Sequence, residues 1–174
     1  MSGAVLRVAD GDTLTLRMPS GDNIITRLSD IDTPQVHHPT NSKKDDRDKD
    51  GKLVCPNAPS DEPGQPYGKA AGASLAQVAP VGAKASAECY EVDRYARHVC
   101  HVFIGASNLN LEQLRRGAAI VAANPTYVRD PESAVAEAAA RSPGLGLWGT
   151  ANPMNPDEWR SECWCGGRCE GAEK

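Results

Sequence analysis

The first residues that could do chemistry are aspartates located where predicted strands end. Asp10 and Asp12 flank Gly11 in a turn between two predicted strands, and Asp32 follows a third strand. Side chains from separate strand ends can converge on one cation, and carboxylate oxygens suit calcium or magnesium rather than zinc. An Asp-Gly-Asp sequence alone is usually only a turn, so the inference of a metal site depends on what accompanies it.

Two arginines accompany these aspartates, and each lies in an apolar strand context. Arg27 and Arg97 therefore need acidic or phosphate partners, and the planar guanidinium fork matches a phosphate. Arg97 alone is more typical of a structural ion pair. A cation held by carboxylates beside two arginines is, however, the arrangement that phosphoryl transfer needs, because it stabilises negative charge on the reacting phosphate.

The elements that must position these residues are short strands and helices. Alternating β-branched residues separated by turn residues predict strands, and alanine- and leucine-rich stretches predict helices. The strands are expected over residues 5–8, 13–17, 24–28, 83–92 and 97–104, and the helices over residues 67–78, about 108–116 and 131–140. This order predicts an α+β fold with a small five-stranded barrel at its centre.

Length, charge and hydropathy exclude several classes of protein. The chain has 174 residues, enough for about one domain. Its net charge of -4 excludes the broadly basic surface of many nucleic-acid binders, so a polyanionic ligand must meet a local positive patch or a bound metal. The longest apolar run, Ala118–Ala123, is far shorter than the ~20 residues that span a bilayer. We expect a monomer with no membrane partner.

Residues 36–66 interrupt the periodic pattern. They contain a run of charges and then a stretch rich in proline, serine and glycine, which is typical of functional or disordered loops. We interpret them as a long loop insertion in a domain that covers residues 1–160, with a cysteine-rich tail over residues 161–174. Within the insertion, Asp46, Asp48 and Asp50 precede Gly51 with the spacing of a calcium loop. They form a second candidate metal site, and a solvated loop is the alternative.

The six cysteines are an even number, which favours three disulfides in an oxidising compartment. Cys89 and Cys100 face each other across a predicted hairpin. Free thiols, or zinc bound by the C-x-C-x3-C tail with Cys55, remain alternatives, and the sequence does not reveal the connectivity.

Five segments together resemble the staphylococcal nuclease (thermonuclease) family. The family pattern runs DGDT, RLxxIDTPE, YGxxA, DxYGR and GLW, and the resemblance covers Val5 to Arg160 around the insertion. The matching segments, in the same order, are Asp10–Thr13, Arg27–Pro34, Tyr67–Ala71, Asp93–Arg97 and Gly146–Trp148. The resemblance implies an OB-fold-type five-stranded barrel with three helices.

The resemblance also implies roles for individual residues. Asp12 and Asp32 correspond to carboxylates that bind Ca²⁺, the carbonyl of Thr33 to a further ligand, and Asp10 to a carboxylate just behind them. Arg27 and Arg97 correspond to arginines that grip the phosphate under attack. Arg94 and Tyr95 fall where the family contacts the terminal phosphate of the nucleotide. Members of the family are usually exported, so the resemblance implies a secreted or periplasmic location.

One departure from the family pattern concerns catalysis. The family has a glutamate after Asp-Thr-Pro that positions or deprotonates the attacking water, and this chain has Gln35. An amide can orient a water but cannot take its proton, and loss of a general base costs about 10²–10⁴ in rate. Asp30, His37 or His38 are candidates to substitute for it. The histidines of the last strand, His98 and His101, are expected at the surface.

A second departure concerns base stacking. The tyrosines that stack on the base in the family are replaced by Ala123 and Pro125. The sequence therefore predicts a calcium-dependent nuclease that hydrolyses DNA or RNA with reduced activity. The alternatives are a catalytically impaired nucleic-acid-binding or protein-binding module on the same fold and a calcium-binding module based on the insertion.

Overall fold

A computed structural model describes residues 1–151 and 153–174 of the chain. Most of its strands belong to one strongly curved sheet, and a short two-stranded pairing lies beside it. The strands are β1 (Ser2–Val8), β2 (Thr13–Arg17), β3 (Asn23–Leu28), β4 (Ile31–Asp32), β5 (Lys84–Val92), β6 (His98–Ile104), β7 (Ser107–Asn108) and β8 (Ile120–Val121). The helices are α1 (Gly68–Val78), α2 (Leu109–Arg115), α3 (Ser133–Arg141) and α4 (Pro156–Trp159), and α4 continues as a π-helical turn over Arg160–Cys165.

The sheet closes into a five-stranded barrel. Its strands run in the order β3-β2-β1-β5-β6 through antiparallel pairings. The barrel closes where β3 pairs with β6 in parallel, with Thr26 opposite His98 and Leu28 opposite Cys100. Closure removes the exposed edges that an open sheet of this size would present. The predicted α+β fold with an OB-type barrel is confirmed.

The barrel interior is aliphatic, as a chain with few aromatic residues requires. Leu14, Leu16 and Leu28 are fully buried between the strands. Helices α1 and α2 cover the barrel with Leu75 and Leu114, which belong to the same core. The three predicted helices are present, and the third spans Ser133–Arg141 rather than residues 131–140.

The insertion and the C-terminal segment pack together into a second, smaller core. Trp159, Cys163 and Trp164 are buried in it. Both indole nitrogens donate hydrogen bonds to the carbonyl of Pro63, at 3.0 Å from Trp159 and 2.8 Å from Trp164. The side chain of Asn41 donates to the carbonyl of Trp164 at 2.8 Å. The insertion is therefore folded against the tail, and the predicted boundary at residues 160 and 161 falls inside a continuous helical segment.

All six cysteines form disulfides. The pairs are Cys55–Cys165, Cys89–Cys100 and Cys163–Cys169. The second crosses the β5–β6 hairpin, as its spacing suggested, whereas the first joins the insertion to the tail. No cysteine of the described chain is free for zinc. Among the described residues, no helix is both long and apolar enough to cross a membrane.

Candidate active site

The turn between β1 and β2 carries the first two acidic residues of the site. The amide of Ala9 donates to the carbonyl of Thr13 at 2.8 Å and closes the turn. Asp10 accepts a hydrogen bond from the amide of Asp12 at 3.0 Å. Gly11 is required here, because a Cβ would lie 2.9 Å from side-chain carbons of both Ala71 and Thr33. The turn is thus pressed between α1 and the segment that carries the third aspartate.

The short β4–β8 pairing positions that third aspartate. Asp32 lies opposite Ile120 in this pairing, and its carboxylate accepts a hydrogen bond from the amide of Thr33 at 3.1 Å. Asp12 and Asp32 are 5% and 7% exposed, so both carboxylates are largely removed from solvent. Burial of carboxylates is unfavourable unless positive charge or hydrogen bonds compensate it.

Arg27 provides part of that compensation. Its Nη2 atom lies 3.3 Å from a carboxylate oxygen of Asp12 and 3.3 Å from one of Asp32. Its Nη1 atom donates to the carbonyl of Ile31 at 3.2 Å, which fixes the guanidinium group on the barrel wall. The attraction of Asp12 is the main cause that raises the pKa of Arg27 above its usual value. One positive group therefore already lies between the two buried carboxylates.

Burial still disfavours the charged forms of Asp10 and Asp32 despite this arginine. Desolvation raises the pKa of Asp32, although Arg160 and Arg27 oppose the shift. Desolvation, together with the neighbouring charge of Asp12, raises the pKa of Asp10 to about 7. Perturbed acidic groups collected in a cleft are typical of functional sites. The site would gain stability from an additional cation.

Gln35 lies in the same cleft. Its Nε2 atom donates to the carbonyl of Thr33 at 2.7 Å, and its backbone amide donates to the side chain of Gln65 at 3.2 Å. Gly68 permits this close packing of α1, because a Cβ there would lie 2.2 Å from the carbonyl oxygen of Gln35. Gln35 therefore bonds to the carbonyl that was predicted to bind the metal.

The β5–β6 turn forms one wall of the cleft. Nε of Arg97 donates to Asp93 at 2.8 Å, and the same guanidinium reaches toward Thr13 Oγ1 at 3.5 Å. The guanidinium groups of Arg94 and Arg97 lie 4.9 Å and 5.3 Å from the ring centre of Tyr95. Tyr95 is mostly exposed. This wall offers two positive groups and one aromatic face to a ligand.

The opposite wall contains residues that sequence reasoning missed. These residues are Lys43, Trp164 and Arg160, and His38, already named as a candidate substitute for the glutamate, lines the same wall. Arg160 donates from Nη2 to the carboxylate of Asp32 and to that of Asp157. No sequence signal pointed to this wall, because Arg160 follows the last motif of the family pattern and the cysteine pairing could not be derived from the sequence.

The two walls enclose a cleft of about 560 Å³. It is lined by five acidic and five basic residues, which are Asp10, Asp12, Asp32, Glu62 and Asp157, and Arg27, Lys43, Arg94, Arg97 and Arg160. All nine residues predicted for the main site therefore lie around one cleft.

The proposed substitutes for the missing glutamate have different surroundings. Asp30 is buried behind the cleft, and His37 pairs with Asp61 at 2.9 Å. Only His38 lines the cleft itself. The expectation that His101 lies at the surface was wrong: it is 7% exposed, with Nε2 3.1 Å from Asp30 and Nδ1 2.7 Å from the hydroxyl of Tyr90.

The aspartates of the insertion lie outside the cleft. Asp48 accepts hydrogen bonds from the amides of Asp50 and Lys52, at 2.9 Å and 3.0 Å. Asp46 and Asp50 are exposed in the same turn. The carboxylate of Asp48 thus stabilises the turn itself, and calcium binding there remains a prediction.

An OB-type barrel whose cleft combines buried carboxylates with arginines has the groups needed to bind a phosphate ester. Comparison with known proteins identifies the family: its model, described as staphylococcal nuclease homologue, matches residues 25–150. The chain belongs to the staphylococcal nuclease family.

Individual relatives agree with this assignment. The chain is 28% identical over 158 residues to an uncharacterized endonuclease of Haemophilus influenzae, across 91% of this chain and 72% of the relative. It is 31% identical over 98 residues to a probable staphylococcal-like nuclease, CAN2, of Oryza sativa subsp. japonica, across 56% of this chain and 26% of the relative. An uncharacterized 38.1 kDa protein of Capnoides sempervirens is 33% identical over 101 residues, across 58% of this chain and 29% of the relative. Family and relatives support a nuclease-like function with nucleic acid as substrate.

The family implies a calcium ion, and the donor atoms of this cleft fit one. Asp12 and Asp32 present buried carboxylate oxygens on either side of the same guanidinium nitrogen. Hard oxygen ligands of this kind are those that calcium and magnesium prefer. Within the described residues, no group of three or more His, Cys, Asp or Glu side chains is arranged as a metal site. A cation here would therefore depend on carbonyl, water or phosphate oxygens as well.

Proposed function

We propose that the chain is a calcium-dependent phosphodiesterase that hydrolyses DNA or RNA, with low activity because Gln35 replaces the general base. The observation that carries the proposal is the convergence of Asp12, Asp32 and Arg27 in one cleft, with both carboxylates within 3.3 Å of the Arg27 guanidinium. Membership in the staphylococcal nuclease family supports it.

Each residue of the cleft has a defined role in this proposal. Asp12, Asp32 and the carbonyl of Thr33 would hold Ca²⁺, which supplies positive charge to a phosphate oxygen when bound. Asp10 supports Asp12 through the hydrogen bond to its amide. Arg27 and Arg97 bind the non-bridging oxygens and stabilise the charge that develops on them. Arg94 and Tyr95 contact the terminal phosphate.

Gln35 orients the attacking water in this proposal. Its Nε2 is committed to Thr33, and its Oε1 accepts no hydrogen bond from any residue that the structure describes. That oxygen can therefore accept a hydrogen bond from water but cannot take up the proton at neutral pH. The low rate proposed here follows from the replacement of a carboxylate base by an amide at position 35.

A secreted or periplasmic monomer is the proposed setting. Disulfides persist in oxidising compartments, and the three disulfides of this chain support an exported protein. The second candidate function is a nucleic-acid-binding or protein-binding module without catalysis, which Gln35 at the base position favours.

The test is hydrolysis of single-stranded DNA and RNA with calcium, with magnesium and with chelator. Gln35→Glu should raise the rate about 10²-fold, and Arg27→Ala should lower it about 10²–10³-fold. Arg17→Ala is the matched control, because Arg17 lies on the neighbouring strand, is exposed and bonds to Asn23. Calcium-dependent cutting that Arg27→Ala abolishes supports the enzyme. Cutting by Gln35→Glu alone favours the binding module, and no cutting by either chain contradicts the nuclease proposal.

A further inference from the structure

The wall formed by the insertion and the tail carries Arg160, which borders the cleft and contacts the buried carboxylate of Asp32. Trp159 is 1% exposed and lies next to Arg160, and its indole nitrogen is bonded to Pro63. The disulfides Cys163–Cys169 and Cys55–Cys165 fix the helical turn that begins at Arg160. A cross-linked core therefore sets the position of this guanidinium with little freedom.

The hydrogen bonds of Arg160 leave donors available. Its Nη2 atom serves both Asp32 and Asp157. Its Nε and Nη1 atoms donate to no residue among residues 1–151 and 153–174. A guanidinium carries five N–H donors in a fixed fork, which suits the oxygens of a phosphate. The two carboxylates orient the guanidinium group, and its Nε and Nη1 donors can bind an oxygen of a ligand.

Arg160 also lies where two clefts meet. The cleft of about 560 Å³ continues into a second one of about 530 Å³, which Ala123 and Tyr127 line on the far side. Arg160 borders both, as do Arg27 and Arg97. A strand that follows the groove from one cleft into the other must therefore pass Arg160 as well as the two predicted phosphate-binding arginines.

We propose that Arg160 binds a backbone phosphate of a single nucleic-acid strand in this groove, next to the phosphate held by Arg27 and Arg97. The insertion and the tail then act as the support that positions it. This inference rests on the nuclease function proposed above, since it assumes that a nucleic acid occupies the groove.

The experiment measures binding rather than cleavage. A fluorescein-labelled oligothymidylate is titrated with the full chain in chelator at low salt, and its anisotropy gives Kd. Arg160→Gln should raise Kd about tenfold, the effect of losing one charge-assisted hydrogen-bonded contact. The slope of log Kd against log salt should fall by about 0.7, the value for one phosphate contact on a single strand. Arg168→Gln is the matched control, because Arg168 belongs to the same tail and pairs with Glu162 away from the groove.

The same titration in a chain that carries Asp32→Asn distinguishes binding of phosphate by Arg160 from simple neutralisation of Asp32. If Arg160 contacts phosphate, Arg160→Gln still weakens binding about tenfold in a chain that already carries Asp32→Asn. If Arg160 only neutralises Asp32, its removal has no effect in that background, and the inference is overturned. Circular dichroism establishes that each variant is folded.

Arg160→Lys keeps the experiment decisive if Arg160→Gln does not fold. Lysine retains the charge but lacks the fork, so an increase in Kd of about threefold is expected. Equal binding by this variant and the wild-type chain would then overturn the inference. Equal binding by folded Arg160→Gln overturns it too and leaves the nuclease proposal intact. No binding by the wild-type chain in chelator overturns the inference, whereas the nuclease proposal is tested separately by hydrolysis in calcium.

Discussion

Asp30 and Asp32 are separated by one residue and have opposite surroundings. Asp30, with a φ of 67°, accepts hydrogen bonds from Ser29 and from the amides of Arg129 and Asp130, at 2.6 Å, 2.9 Å and 2.6 Å. His101 adds a further contact at 3.1 Å. Asp32 accepts one bond from a backbone amide, and its other partners are the side chains of Arg27 and Arg160.

The pKa values of the two aspartates move in opposite directions. Burial alone would raise the pKa of Asp30, but the bonds from His101, Ser29 and the two amides lower it below its usual value. Burial raises the pKa of Asp32, and its arginines do not fully oppose this. The charge of Asp30 is thus satisfied by fixed dipoles and holds the fold together. The charge of Asp32 is satisfied incompletely and mainly by two arginine side chains, so this carboxylate can still bind a further cation.

The largest effect on the free energy of unfolding is expected from removal of the Asp30 carboxylate, whose hydrogen bonds are satisfied within the fold. Asp30→Ala leaves the Ser29 hydroxyl and the amides of Arg129 and Asp130 without their acceptor and removes the charged partner of His101, so it should lower the free energy of unfolding by about 3–5 kcal/mol. Urea denaturation measures this, and Asp22→Ala, in an exposed turn, is the control. A loss below about 1 kcal/mol, within the range of ordinary surface substitutions, would remove the distinction between the two aspartates.

The corresponding change at Asp32 should affect function instead. Asp32→Asn removes a predicted cation ligand, so hydrolysis in calcium should fall about 10²–10³-fold. The free energy of unfolding should stay within about 1 kcal/mol of the wild-type value, because the raised pKa of Asp32 means that folding already disfavours its charge. Rate assays and urea denaturation of the same preparation check both parts. Unfolding of this variant at mild urea concentrations would contradict them.

The pH dependence of stability provides a third test. The folded chain holds the pKa of Asp30 low, so below the ordinary carboxyl pKa of about 4 the unfolded chain takes up a proton that the folded chain does not. The free energy of unfolding should therefore decrease as pH falls through this range and further toward the folded pKa. Asp30→Asn should show a smaller acid-induced loss than the wild-type chain. Equal losses would mean that other carboxylates determine acid stability.

The smallest effect is expected at Tyr90, the outermost residue of the cluster formed by Asp30, His101 and Tyr90, which is called the buried cluster below. Tyr90→Phe removes the hydroxyl that lies 2.7 Å from His101 Nδ1, at a cost of about 1 kcal/mol in unfolding free energy. The hydrolysis rate should not change, since Tyr90 does not border the main cleft. A thermal melt and a rate assay are sufficient. Reduced hydrolysis would link the buried cluster to the site and weaken the contrast between the two aspartates.

The barrel half of the molecule could be predicted from the sequence for a physical reason. Strand periodicity, turn residues and the Asp-Gly-Asp and Asp-Thr-Pro segments are local, and in a closed barrel the strand order determines which turns meet. Asp12, Asp32 and Arg27 therefore came together as expected. The bond from Gln35 to the carbonyl of Thr33 was not predicted, because it depends on a side-chain torsion rather than on a pattern.

The other wall of the cleft could not be predicted. Its contacts join distant parts of the chain, such as Asn41 with Trp164, and residues 36–66 carry no periodicity that would place them. The burial of His101 was missed for a related reason. Its partner Asp30 follows β3, and only the parallel β3–β6 pairing that closes the barrel brings the two together.

The Cys55–Cys165 cross-link has a consequence for when the cleft is completed. It joins positions separated by 110 residues, so it can form only after synthesis has passed Cys165 and the tail has returned over the barrel. A chain kept reduced lacks this covalent link between the insertion and the helical turn that begins at Arg160. Covalent closure of this wall therefore requires an oxidant as well as a folded chain, whereas the strand pairing that closes the barrel, between β3 and β6, needs only backbone hydrogen bonds.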